Sequence, residues 1–303
     1  MKMNAYFRKI FTVVFITLLI NNLVIQIPIN TFGFGNKSHE QLSELAFHQA
    51  LLDLGLTQYL GATPDLVRHS TGPDRDEKLS MEGGFRLSIK FFKGHFFNVE
   101  TDLENDDTAL TRMASHYNLA VTYARSNSWR NSIYNLARSL HYLQDMCCPV
   151  HMWGYGHNNI PAMLALHVEL ENNWDAMFNS DNLLELIPRG NRLLPINNFE
   201  NVSTFGIYVA REALSLHRDW IEKNTGIGLD ILQAFNTINP VYWGGRAGSR
   251  IFDLFRDKSG EIGFRREWQD IFNLPYLASY ELIYMWAKAV SGLTLPAPDC
   301  MIQ

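Results

Sequence analysis

An all-α chain is predicted by three observations. Apolar residues recur at spacings of three and four over several long segments, the signature of helices with one buried face. No segment alternates apolar and polar residues for long enough to read as a strand. And 303 residues, 47% hydrophobic and 13% aromatic, are enough to build one large helical core. The chain contains no internal repeat, low-complexity tract or charge block. The reading is a single multi-helix domain over residues 34–303, preceded by a signal peptide over residues 1–33.

The elements follow in order. Lys2, Arg8 and Lys9 form a positive region ahead of the apolar run FTVVFITLLI. Asn21-Asn22 interrupt that run, which then continues to Ile29. Thr31-Phe32-Gly33 offers a cleavage site after Gly33, so the protein is expected to be secreted, with an uncleaved anchor helix as the alternative. No other segment is apolar enough to span a membrane. Cleavage would remove three positive side chains and move the formal charge from −5 to −8. Such an acidic chain is a poor candidate for broad binding to phosphate backbones, though a local basic groove is compatible with it.

Ser38 is placed to cap a helix carrying Leu42, Leu45, Ala46 and Leu52. A second long pattern covers about 108 to 126. Ser126-Asn127-Ser128 breaks it and caps the next helix, which runs through His141 and Asp145. Further helices are predicted at about 160 to 177, 204 to 224 and 264 to 291. The polar, Gly- and Pro-containing stretches 179 to 203 and 239 to 262 read as long loops. Irregular connections of that length suit a site assembled from several parts of a chain. The three cysteines, Cys147, Cys148 and Cys300, do not form a disulfide framework, and the adjacent pair reads as small buried side chains beside a helix end.

The densest chemistry lies in HYLQDMCCPVH, His141 to His151, followed by HVELE, His167 to Glu171. His141 and Asp145 are four residues apart, as are His167 and Glu171, so each pair shares one helix face. Pro149 stops the first helix and His151 follows on the turn beyond it. A lone His-x3-Asp on a helix usually does no more than face water. Two such pairs flanking a Pro-x-His instead offer nitrogen and oxygen ligands suited to zinc.

These blocks resemble the signature of the bacterial zinc-dependent phospholipase C family, which shares an all-helical fold with the single-strand-specific zinc nucleases. The resemblance continues through His39 in FGNKSHE, Asp74 in GPDRDE and His95 in GHFFN, in the order of the family's ligands. Gln144 is a departure, because phospholipase members usually carry Gly there. The resemblance implies a trinuclear zinc site in a cleft. One ion would use Asp74, His95, His141 and Asp145. A second would use the backbone of Phe34, as the mature amino terminus, with His39 and a bridging Asp145. The third would use His151, His167 and Glu171. Asp76 competes with Asp74, and the match to Pro-Asp favours Asp74. The other histidines, His48, His69, His116, His157 and His217, fall outside the pattern and are assigned to core or surface, His157 being the one nearest to a site role.

The implied activity is phosphodiester hydrolysis. Zinc lowers the pKa of bound water to about 7, and clustered dications neutralise phosphate oxygens and a departing alkoxide. Asp74 is the implied catalytic residue, as ligand, general base or both. The Glu at 171, where the nucleases usually have Asp, and the surrounding HVELENNWD resemble the phospholipases, which implies phospholipids as substrate, cleaved to diacylglycerol and a phosphorylated headgroup. The positions that cradle choline in family members correspond here to Lys37, Arg75 and Phe92, of which only the Phe suits a quaternary ammonium. The two cations would repel choline and favour an anionic headgroup or a nucleic-acid phosphate, so phosphatidylcholine is not expected to be the best substrate. The expected partners are a phospholipid or other phosphodiester substrate, with peripheral membrane contact and a monomeric protein. A single-strand nuclease, for which nucleic acid is the partner, and a non-catalytic zinc-stabilised binding protein are the alternatives.

Overall fold

The computed structural model describes residues 36–80, 94–152, 199, 201–225 and 269–290. Among them there are helices and no strands. Helix α1 spans Asn36–Asp53, and a 3-10 turn over Thr57–Ala62 leads into α2, Thr63–Ser70. Helix α3, Gly72–Ser80, follows at once, and α4 is Ala109–Arg125. Helix α5, Trp129–Asp145, is followed by the single turn α6, Pro149–Met152. Helices α7, Val202–Thr225, and α8, Gln269–Val290, complete the described set. None of these helices is long and apolar enough to cross a membrane. The signal peptide, Phe34, Phe92, His157, the helix expected at 160 to 177 with His167 and Glu171, and nearly all of the two long loops lie outside the described residues.

The organising element is α5. Every residue from Asn135 to Asp145 is buried, so from there on the helix is enclosed on all sides, whereas its first turn leaves Arg130 and Asn131 exposed. It packs against α4, α2, α8, α1 and α3. Leu136, Leu140 and Leu143 are fully buried in a core shared with Leu42, Phe47, Phe205 and Ile283. Hydroxyl groups tie the polar positions of α5 to its neighbours. Ser132 donates to the Ala120 carbonyl at 2.7 Å and accepts from the Trp286 indole at 3.1 Å. Ser139 donates to the Met113 carbonyl at 2.8 Å. Buried serines thereby satisfy their own polar groups while drawing α4 and α8 close.

Several local details differ from the sequence reading. Helix α1 already contains Ser38, which is buried inside its first turn and so is not the cap. Helix α4 begins as expected, with a capping box between Thr108 and Thr111 that satisfies donors at both ends of the turn. The break at 126–128 is present, with Asn127 in the left-handed region at φ 60°. Ser128 takes the cap position of α5 without bonding its N–H groups and instead accepts from the Asn131 amide at 2.9 Å. Helix α5 ends at Asp145, four residues short of Pro149, which opens α6 instead of stopping α5. His151 therefore stands on a helical turn. The sequence reading assigned no element between Asp53 and position 108, where the structure has α2 and α3. Pro64 and Pro73 sit in the first turns of those helices, where the missing N–H removes no helical bond.

Candidate metal centre

Six of the nine implied ligands are described, and the structure brings all six together: His39, Asp74, His95, His141, Asp145 and His151 are each buried. They come from α1, α3, the segment before α4, the end of α5, and α6. The helix period places His141 and Asp145 one turn apart at the buried end of α5, with His141 Nε2 3.3 Å from Asp145 Oδ2. The two residues after His95 are held by main-chain bonds to α6 and α4. The Phe97 N–H donates to the His151 carbonyl at 3.0 Å, and the Ala109 N–H donates to the Phe96 carbonyl at 3.1 Å. Gly94 fits because a Cβ there would collide with the Arg112 guanidinium.

Asp145 is the hub. Its Oδ2 accepts from His95 Nδ1 at 2.7 Å and lies 3.3 Å from His141 Nε2. Its Oδ1 faces the other way, 3.5 Å from His39 Nε2 and 4.0 Å from His151 Nδ1. Asp74 Oδ1 stands 3.6 Å from His141 Nε2 and 3.9 Å from His95 Nδ1. The rings of His39 and His141 stack with centroids 4.1 Å apart. Asp76 is elsewhere: its half-exposed carboxylate pairs with Arg138. Of the two competing aspartates, Asp74 is the one inside the cluster.

The donor set fits a cation. Two groups, His39–Asp74–His141 and His95–His141–Asp145, each have ligand atoms within 4.8 Å of one another. Atoms that share one tetrahedral zinc at 2.0–2.2 Å lie about 3.3–3.6 Å apart, and the separations around Asp74, His141 and Asp145 fall in or near that range. The imidazoles are also held in the orientation that ligation needs. His141 Nδ1 donates to the Ser70 carbonyl at 2.8 Å, which turns Nε2 toward both aspartates. His39 Nδ1 donates to Gln144 Oε1 at 2.6 Å, which turns Nε2 toward Asp145. A bond to the far ring nitrogen that fixes tautomer and ring direction is the usual support of a metal-bound histidine.

The electrostatics agree. Burial lowers the pKa of His141 well below the ordinary imidazole range, and the nearby His39 and His95 add to that against the pull of Asp145. Burial also lowers that of His39, but the Asp145 carboxylate beside it, with Asp74, outweighs burial and leaves the pKa raised. Burial would raise the pKa of Asp145, yet His141, His151, His39 and His95 hold it well below the usual carboxylate range. Two buried carboxylates with four surrounding imidazoles make a site that balances its charge by taking up protons or a cation.

From the sequence alone Gln144 is only a departure, and nothing there gives a role to the Ser70 carbonyl or to Arg138. The signal for Gln144 was its position, directly before Asp145 and three residues after His141. Among the expected substrate residues, Lys37 is exposed at the start of α1. Arg75 is exposed too, and its guanidinium donates to the Arg68 carbonyl at 2.6 Å, at the end of α2. Of the remaining described histidines, His48 meets the Thr63 hydroxyl at 3.0 Å and His116 meets Asn135 at 2.9 Å. Cys147 and Cys148 are buried just past α5, and burial pushes the Cys147 thiol up, with Asp145 adding to it.

No family model matches the chain, and no curated protein matches it. Among solved structures it is similar to the alpha-toxin of Clostridium perfringens from avian strain SWCP, with a TM-score of 0.51 and 13% sequence identity. The two share an all-α fold. The match covers 87% of this chain but 65% of the toxin chain, so this chain corresponds to somewhat less than two thirds of that length. The structural agreement persists at an identity where side chains have largely diverged.

Proposed function

We propose that this chain is a secreted zinc-dependent phosphodiester hydrolase of the phospholipase C type, cleaving phospholipids to diacylglycerol and a phosphorylated headgroup. The observation that carries the reading is the convergence of His39, Asp74, His95, His141, Asp145 and His151, spread over more than a hundred residues, into one buried cluster. A fold shared with a bacterial toxin supports it. Three zinc ions are proposed. Phe34, His167 and Glu171 would complete the ligand set after cleavage behind Gly33.

Zinc bound in the cluster would supply Lewis acidity toward a phosphoryl oxygen and make water acidic enough to attack near neutral pH. The chain's own residues supply the rest. Asp145 turns one oxygen toward His95 and His141 and the other toward His39, so its carboxylate would be placed to help hold more than one ion. Asp74 adds a second carboxylate beside His95 and His141, acting as ligand, as acceptor of the proton from attacking water, or both. Burial of all six side chains keeps bulk water from competing for the ligands.

An anionic substrate is favoured. Burial lowers the pKa of His69, and the nearby Arg68, Arg75 and Arg130 lower it further against Asp65, which marks a local positive patch on the α2 side of the molecule. Such a patch suits an anionic headgroup and would repel choline. It also suits a nucleic-acid phosphate, which keeps a single-strand nuclease as the second reading. The test incubates the zinc-loaded mature chain, starting at Phe34, with mixed phospholipid vesicles and quantifies diacylglycerol by mass spectrometry. Chelator-sensitive release, faster on anionic lipids than on phosphatidylcholine, is the expected result. Absence of release from a protein shown to hold zinc, with cleavage of single-stranded DNA instead, would put the nuclease first. Full activity in a His141→Ala, Asp145→Ala double variant would overturn both.

A further inference from the structure

The buried imidazoles are not all supported in the same way. His141 and His151 each give Nδ1 to a main-chain carbonyl, those of Ser70 and His95, at 2.8 Å in both cases. His39 gives Nδ1 to a side chain, Gln144 Oε1, at 2.6 Å. Gln144 is fully buried, and its amide nitrogen donates to Ser43 Oγ at 3.1 Å and to Ser279 Oγ at 3.0 Å. With hydroxyls from α1 and α8 receiving both amide protons, the carbonyl end is left to face the imidazole. The amide therefore cannot turn over without exchanging two donor contacts for poorer ones.

We propose that Gln144 is a positioning residue for His39. Its oxygen holds His39 in the Nδ1–H tautomer, so that the Nε2 lone pair is presented to zinc on the Asp145 side. The inference rests on the zinc reading above. A carbonyl of the main chain is fixed by its helix, whereas a glutamine oxygen is fixed only as long as α1, α5 and α8 stay in contact. Ligation by His39 is thereby tied to the docking of α8, which contributes the Ser279 hydroxyl.

The test compares three variants of the full chain, each loaded with zinc. Gln144→Met keeps the approximate volume and removes the acceptor and both donors. Gln144→Glu keeps an acceptor oxygen for His39 and loses the two donors. Ser132→Ala is the structural control, because Ser132 also joins α4, α5 and α8 but lies at the other end of α5. Zinc affinity is measured by competition with a chelating dye, the bound ions are counted by elemental analysis, and the His39 ring is followed by long-range proton–nitrogen NMR. Gln144→Met is expected to weaken one ion by about 10–100-fold, the range for loss of a group supporting a ligand, and to lose the single Nδ1–H signal pattern. Gln144→Glu is expected to restore most of that affinity, and Ser132→Ala to melt earlier with affinity unchanged. Wild-type affinity in Gln144→Met, or equal loss in the Glu variant, would reduce Gln144 to a tie between helices. Should the Met variant fail to fold, the Glu variant against Ser132→Ala decides the matter by the same criterion. A wild-type chain that binds no zinc would overturn the metal reading and this inference with it. Zinc bound equally by wild type and Met variant would overturn the inference alone.

Discussion

The two ends of α5 are held in opposite ways, the first turn with Arg130 and Asn131 exposed and the last turn wholly buried. At the N-terminal end Trp129, Ile133 and Leu136 pack on hydrocarbon and aromatic neighbours, with Trp129 edge-on to Trp286 at 6.3 Å. At the C-terminal end His141, Gln144 and Asp145 are buried among histidines, a second aspartate and serine hydroxyls. Removing apolar surface from water is favourable in itself. Burying carboxylates and imidazoles is not, and such groups are tolerated where their charge and hydrogen bonds are met. One helix thus carries an anchor at one end and a polar centre at the other. The anchor gives the centre a rigid base, which is what ligands need to be held in place.

Substitutions can break this comparison end by end. The largest effect is expected from Asp145→Asn, which keeps the shape and removes the charge that His39, His95, His141 and His151 surround. Zinc should no longer be retained, and chelator-sensitive hydrolysis should fall by about 10²–10³-fold, by analogy with the loss of one charge-stabilising group from an active site. Elemental analysis and vesicle turnover would read both. Retention of all ions by that variant would show that the polar end does not depend on this carboxylate.

Leu136→Ala acts on the other end. It should lower the unfolding free energy by about 2–5 kcal/mol, through lost burial and the cavity left behind. Zinc count and affinity should not change, and denaturant unfolding alongside dye competition would separate the two quantities. A matching loss of zinc affinity would mean that the ends are coupled more tightly than their chemistry suggests.

Chelation comes next in size. A ligand that binds only the folded state at 100 to 1,000 times its Kd adds about 2.7–4.1 kcal/mol, so zinc removal should bring the melting temperature down correspondingly. The loss should be absent from Asp145→Asn, which has no ion to lose. Ser132→Ala is smaller, at about 1–3 kcal/mol, because it leaves the buried Trp286 donor without its acceptor. The smallest effect sharpens the boundary between the ends. Cys147, whose thiol is pushed up by burial, should resist alkylation near pH 8 in the folded protein and react only after denaturation, as fragment-ion mass spectrometry would report.

Much of this was readable in the residues, for identifiable reasons. The all-α class and the positions of α4, α5, α7 and α8 follow from apolar spacing over long segments, where many residues vote for one period. Helices α2 and α3 were missed because Gly61, Pro64, Gly72 and Pro73 punctuate them, and proline in a first turn looks the same in sequence as proline in a loop. The choice of Asp74 over Asp76 was made on resemblance, and its physical basis is tertiary: Arg138 reaches Asp76 from a different helix. The role of Gln144 was hidden for the same reason. Its partners Ser43 and Ser279 are 101 and 135 residues away, and no local pattern announces them.

That separation has a consequence for how the protein is made. Chains emerge from the ribosome in order, and long-range contacts close last and slowly. His141, Asp145 and His151 arrive within a few residues of one another, but the amide beside Asp145 cannot complete its bonds until α8 has been synthesised and has folded back onto α1 and α5. A nascent chain that has already exposed its histidines would therefore have a loose first version of the centre. The finished geometry becomes a record that the whole helical domain has closed.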